Sequence, residues 1–145
     1  MMKDVHILLV EDNEGDIVLT LEALKEAKVL NTIDVVRDGE EALHFLRKQN
    51  KYAAAQTPDI IFLDINLPRI DGTEILTIIK NDPELRLIPV IMLTTSDSER
   101  DILKSYWNHA NCYITKPVDL EKFMDVIHSI KSFWINIVQL PNVHN

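Results

Sequence analysis

Glycine is scarce in this chain, three in 145 residues, and neither a Walker loop nor the dinucleotide fingerprint occurs. Both motifs need glycine so that backbone can close around phosphate, so a nucleotide-binding role finds no support. Cysteine is scarcer still: Cys112 is alone and cannot form an internal bridge. His109 lies three residues before it, but no second pair of soft ligands follows, and His6, His44, His128 and His144 form no metal spacing. No apolar run approaches the ~20 residues of a membrane span. The first such run, "VHILLV", stops at Glu11 and is too short for a signal peptide, so the expected location is the cytoplasm, with no membrane association. Basic residues are in deficit, 15 against 23 acidic, for a formal net charge of -8. Because they are also scattered, nucleic acid is not expected as a partner.

What is present is apolar and ordered. A hydrophobic content of 46% in 145 residues matches one domain able to bury a continuous core. Residues 1–137 are expected to form it, with 138–145 as a tail and no separate output domain. Short runs rich in branched residues recur at 5–10, 32–36, 60–63, 89–93 and 111–115, and read as five strands. Helical spacing separates them: Ile17, Leu21 and Leu24; Ala42, Leu43 and Leu46; Ile75, Leu76 and Ile79; Ile102, Leu103 and Tyr106; then a last helix from about Leu120 to Ile137. Arg47 to Pro58 reads as a long surface loop. Near-continuous apolar character in strands one, three and four requires burial on both faces, hence a parallel sheet between two helical layers. The fold class is α/β, a doubly wound five-stranded parallel sheet with expected order 2-1-3-4-5.

In such a sheet ligands bind beyond the carboxyl ends of the strands. Those ends carry Glu11 and Asp12, Asp64, Thr94 with Thr95 and Ser96, and Thr115 with Lys116 before Pro117. Three acids so close repel by ~4 kcal/mol per pair at ~4 Å in an effective dielectric near 20. A hard cation relieves this: Mg2+ takes one or two carboxylates, keeps waters and leaves room for phosphate oxygens, and the Asn66 carbonyl is a further candidate ligand. Lys116 offers a point charge to Asp64 or to a phosphoryl group on it, and Thr94 a hydroxyl. The set fits phosphoryl transfer onto a carboxylate. Each residue also has a plainer role open to it. Glu11 and Asp12 suit a helix N-terminus, Asp71 with Gly72 suits a turn, Thr95 and Ser96 suit the start of a helix, and Tyr113, Trp107 and Trp134 suit packing.

"LLVEDN", "DIIFLDINLPRIDG", "VIMLTTSD" and "YITKP" resemble, in order and spacing, the signatures of receiver domains of two-component response regulators, across residues from about 4 to 135. The resemblance implies a flavodoxin-like fold and gives each residue a role. Asp64 would be the phosphoacceptor, Asp12 a direct Mg2+ ligand, Glu11 a ligand through water and Asn66 a carbonyl ligand. Thr94 and Lys116 would contact the phosphoryl group, Thr94 and Tyr113 would switch, and Lys116–Pro117 would be a cis peptide. It further implies a sensor histidine kinase as donor, slow self-hydrolysis, and no turnover of external substrates. The loop before strand three, "NHANCYITKP" and "IKSFWINIVQLP" resemble the single-domain regulators that partner bacterial phytochromes.

The last helix carries more apolar residues than one packing stripe needs, among them Phe133, Trp134 and Ile137, which points to a symmetric homodimer. Two rival functions are weaker. A haloacid-dehalogenase-like phosphatase would carry an acid where Asn66 stands, and a larger body. A phosphorylation-independent binding module on the same fold would be expected to have lost Asp12, Asp64, Thr94 or Lys116.

Overall fold

The computed structural model describes residues 5–26, 31–95 and 112–129. Five strands, β1 (Val5–Val10), β2 (Asn31–Val36), β3 (Ile60–Asp64), β4 (Val90–Thr94) and β5 (Cys112–Thr115), form one sheet in the order β2-β1-β3-β4-β5. All four pairings are parallel, as the buried, branched strands require. Four helices are described: α1 (Glu14–Glu26), α2 (Gly39–Leu46), α3 (Gly72–Asn81) and α4 (Leu120–Ser129). The helix expected around Ile102, Leu103 and Tyr106 lies outside the described residues. So do Trp107, His109, Phe133, Trp134, Ile137 and the tail 138–145. Among the described residues no helix is long and apolar enough to cross a membrane.

Strand alternation divides the core into two layers. Leu8, Val10, Ile61, Leu63, Val90 and Met92 face α2 and α3, where Leu43, Phe45, Leu46, Ile75, Leu76 and Ile79 meet them. Ile7, Leu9, Ile60, Phe62, Ile91, Leu93 and Ile114 face the other way, against Ile17 and Leu24 of α1 and Phe123 of α4. The period-2 geometry of a strand makes this sorting automatic. It also decides where residues just past the strands emerge. Glu11 is two beyond Leu9, Asp64 two beyond Phe62 and Lys116 two beyond Ile114, so all three share the α1 side.

Each described helix opens on an Asn or Asp whose side chain accepts a free backbone N–H of the first turn. Asn13 Oδ1 accepts Asp16 N–H at 2.9 Å, and Asp38 Oδ1 accepts Glu41 N–H at 2.7 Å. Asp71 Oδ1 accepts Glu74 N–H at 3.1 Å, and Asp119 Oδ1 accepts Lys122 N–H at 2.8 Å. Asp71 is therefore a helix cap, held below the usual aspartate range by its Thr73 and Glu74 donors against slight desolvation. Asn13, rather than Glu11 or Asp12, caps α1, which leaves both acids for other work.

The stretch from Arg47 to Pro58 is less loop-like than its composition indicates. It contains a 3₁₀ turn at Asn50–Tyr52, and Tyr52 packs on Phe45 with ring centroids 5.2 Å apart. The Tyr52 hydroxyl donates to Glu41, and burial together with that carboxylate pushes its pKa above the usual tyrosine range. Lys80 fastens the α3–β4 connection by donating to the carbonyls of Arg86 at 3.0 Å and Ile88 at 2.7 Å.

Gly72 sets how closely α3 approaches the sheet. A Cβ there would lie 2.2 Å from the Asp64 carbonyl oxygen and 2.7 Å from Ile65 Cα, both backbone atoms that cannot swing aside. Gly72 N–H donates to Ile65 O at 3.0 Å, so the glycine holds the β3 end in place. Gly72→Ala is expected to destabilise the fold by about 1–3 kcal/mol, the usual cost of overpacking a close-packed site. Urea unfolding checks this; a wild-type midpoint would show that the β3 end is free to move.

Candidate functional site

Backbone hydrogen bonds run one step past the strand ends, tying β1 to β2, β3 to β4 and β5 to β4. Glu11 N–H donates to Val36 O at 3.0 Å, Ile65 N–H to Leu93 O at 3.1 Å, and Lys116 N–H to Thr94 O at 2.6 Å. These extensions lock Glu11, Asp64, Thr94 and Lys116 against rigid strands. Glu11, Asp64 and Thr94 are fully buried, whereas Asp12 is exposed at the mouth. The Lys116–Pro117 peptide is cis.

Lys116 is the centre of the site. Its side chain is 7% exposed, and its Nζ lies 2.8 Å from Glu11 Oε1, 2.9 Å from Asp16 Oδ2 and 3.2 Å from Asp64 Oδ2. Burial alone would lower its pKa, but the close carboxylates of Glu11, Asp16 and Asp64 hold it above the usual lysine range. Pairing with Asp64 was legible in the sequence. Asp16 was not, because an acid in the first turn of a helix reads as a partner of the helix dipole. The missed signal is its place one residue before the buried Ile17, on the helix covering the face where Lys116 emerges.

One cation does not neutralise three acids. Burial, then the adjacent Glu11 carboxylate, push the Asp64 carboxyl up to about 7, while Lys116 and the Asn66 N–H, 3.1 Å from Asp64 Oδ1, pull it down. Glu11 Oε2 accepts Asn13 N–H at 3.2 Å; its Oε1 meets Lys116 as a charge contact without an aligned hydrogen bond. Glu11, Asp12 and Asp64 each present an oxygen within 4.8 Å of the others. This all-oxygen donor set, still short of positive charge after Lys116 is counted, fits a hard divalent cation such as Mg2+. Glu11, Asp12 and Asp64 would hold it, with Asn66 beside them.

Two further expected residues lie on the neighbouring strands. Thr94 Oγ1 is buried at the β4 end with no hydrogen-bond partner among the described residues, an expensive state for a hydroxyl unless a ligand completes it. Tyr113 on β5 is 36% exposed, so its ring stands partly outside the core.

Comparison with known proteins places this geometry. Residues 7–128 match the response regulator receiver domain. Response regulator Rcp1 of Synechocystis sp. is 44% identical over 135 residues, 93% of this chain and 92% of that protein. A crystal structure of its Mn2+-bound form covers 90% of this chain and 94% of that one, at 43% identity and a TM-score of 0.74. The structure of the phosphorylated cyanobacterial phytochrome response regulator RcpA is 45% identical, covers 94% of this chain and 99% of that one, and has a TM-score of 0.77. Bacteriophytochrome response regulator RtBRR is 41% identical with a TM-score of 0.81, over 87% of this chain and 77% of that one.

The raised Asp64 carboxyl predicts a pH dependence. Folding favours its protonated form, so the site adds no penalty below the ordinary aspartate value of 3.8 and costs stability increasingly as pH rises through about 7. In metal-free buffer, Asp64→Asn should therefore melt higher than wild type at pH 8, by at least roughly 3 °C, the shift of about 1 kcal/mol in a domain of this size. The gap should shrink as pH falls toward 5. Thermal melting with a chelator present checks it; a gap that is absent, or that widens on acidification, would remove the uncompensated charge from the account.

Proposed function

The chain belongs to the response regulator receiver family, and from that premise we propose that it is a phosphorylation switch whose acceptor is Asp64. The observation that carries the reading is a buried carboxylate facing a buried ammonium, Asp64 Oδ2 at 3.2 Å from Lys116 Nζ. Beside it stands Thr94, whose buried hydroxyl has no partner among the described residues.

A sensor histidine kinase is the proposed donor. A carboxylate oxygen of Asp64 attacks the phosphorus of a phosphohistidine, a P–O bond to Asp64 forms, and the P–N bond to the donor breaks. Little covalent work falls to the protein; positioning and charge neutralisation do most of it. Asp64 is aimed by the Asn66 N–H and by the rigid end of β3. Lys116 supplies a point charge on one side of the new phosphoryl group, and Thr94 a hydroxyl donor on another. Mg2+, when bound at Glu11, Asp12 and Asp64, offsets the negative charge of acceptor and phosphoryl together. Water then removes the group slowly and resets the switch.

The added charge, roughly -1.5 to -2, biases a two-state packing element. Thr94 and Tyr113 are its proposed parts: the hydroxyl moves toward the phosphoryl group, and the half-exposed ring follows inward. The signal then leaves through the surface around β5 and α4. The likeness to RcpA and RtBRR supports a bacterial phytochrome as the sensor, in the cytoplasm. The apolar surplus at Phe133, Trp134 and Ile137 supports a homodimer as one carrier of the signal. No role with nucleic acid or membranes is proposed.

Intact-protein mass after incubation with acetyl phosphate tests the acceptor. One phosphoryl group should add in the presence of Mg2+, and none to Asp64→Asn. Sedimentation of the same samples should show a dimer that Phe133→Ser with Trp134→Ser weakens. No adduct on wild type would leave the fold as a phosphorylation-independent binding module, and an unaltered dimer in the double variant would remove the tail from the interface.

A further inference from the structure

Resting on the reading of Asp64 as acceptor, we propose that Asp16 is a positioning residue: its carboxylate is the releasable tether of Lys116 and competes with the phosphoryl group for that ammonium. The lysine approaches Glu11, Asp16 and Asp64, and Lys116 Nζ donates an aligned hydrogen bond to Asp16 Oδ2 at 2.9 Å. The contact with Glu11 Oε1, although 2.8 Å long, lacks that alignment. The resting lysine is thus held in part by α1 and not by the strand-end acids alone.

Exposure separates the three acids by what happens when the lysine leaves. The Glu11 side chain is 0% exposed and that of Asp64 2%, so either would be stranded as a buried charge, a costly state. The Asp16 side chain is 27% exposed and regains water when its partner turns away. Asp16 is also outside the set of carboxylates that converge on a possible cation, which is Glu11, Asp12 and Asp64 among the described residues. Its placement is nonetheless built. Asn13 Oδ1 holds its backbone N–H at 2.9 Å, and the neighbouring Ile17 is buried in the core, so the first turn of α1 cannot drift.

An ammonium has three N–H donors and no acceptor. When phosphoryl oxygens arrive beside Asp64 Oδ2, donors spent on Asp16 must be shared or withdrawn. The strength of the Asp16 contact therefore sets how firmly Lys116 grips the phosphorylated state, and the gain is felt only through the lysine.

Fluoroberyllate, a stable stand-in for the phosphoryl group, provides the test, with 19F NMR reading its dissociation constant at saturating Mg2+. Asp16→Asn keeps the shape and removes the charge, and should bind fluoroberyllate about threefold or more tighter, at the lower end of couplings within one ion-pair network. In a Lys116→Ala background the same substitution should change affinity less than about twofold, since coupling through the lysine is lost. Unchanged or weaker binding in the single variant overturns the proposal. So does an equal gain without Lys116, which would mean that the charge of Asp16 acts through space. Wild-type protein that binds no fluoroberyllate would overturn the acceptor reading as well, an outcome distinct from either.

Discussion

A single buried ammonium among three carboxylates is the constraint on which the site depends. Removing Lys116 would leave Glu11 and Asp64 buried side by side without a partner, the arrangement that breaking a buried ion pair makes most costly. Keeping it still leaves the cluster short of positive charge, as the raised Asp64 carboxyl records. The protein thus holds a site stable enough to fold and unsatisfied enough to bind. A divalent cation would supply the missing positive charge, and the proposed phosphoryl group would occupy the Lys116 and Thr94 donors.

The sheet builds this cluster at little further cost. Alternation along β1, β3 and β5 sends Glu11, Asp64 and Lys116 to one side, and the α1 helix packed there brings Asp16. Thr94 is in step with Val90 and Met92 of the other layer, and its hydroxyl is buried at the β4 end. A shift in Thr94 has a direct mechanical link to the packing of β4 and, through the Lys116 N–H on its carbonyl, to β5. The proposed switch would use that link as its route to the surface.

Much of this was legible from residue order. Buried parallel strands announce themselves by unbroken branched runs, and Asp64 stood out because an acid ended one of them. The five-strand order was the commonest that right-handed crossovers allow, and the convergence of Glu11, Asp12 and Asp64 followed from the rule that parallel strands end on one edge. What escaped was whatever depends on distance between elements far apart in sequence. Asp16 and Lys116 are one hundred positions apart and meet only because α1 packs over β5's side of the sheet. Gly72 reads as half of an Asp-Gly turn, yet its bare Cα is required by contact with the Asp64 carbonyl. Tyr52 sits in a polar stretch that gives no sign of its contacts with Phe45 and Glu41.

The claim that the acid cluster awaits a cation is tested most directly by the melting temperature at pH 8 with and without excess Mg2+. A ligand at one hundred times its dissociation constant stabilises by about 2.7 kcal/mol. A rise of several degrees is expected for the wild-type protein, and none when Asp12 and Asp64 are both replaced by Asn. A wild-type melting temperature indifferent to Mg2+ would contradict it, leaving Lys116 as sufficient counter-charge and the acids as purely structural.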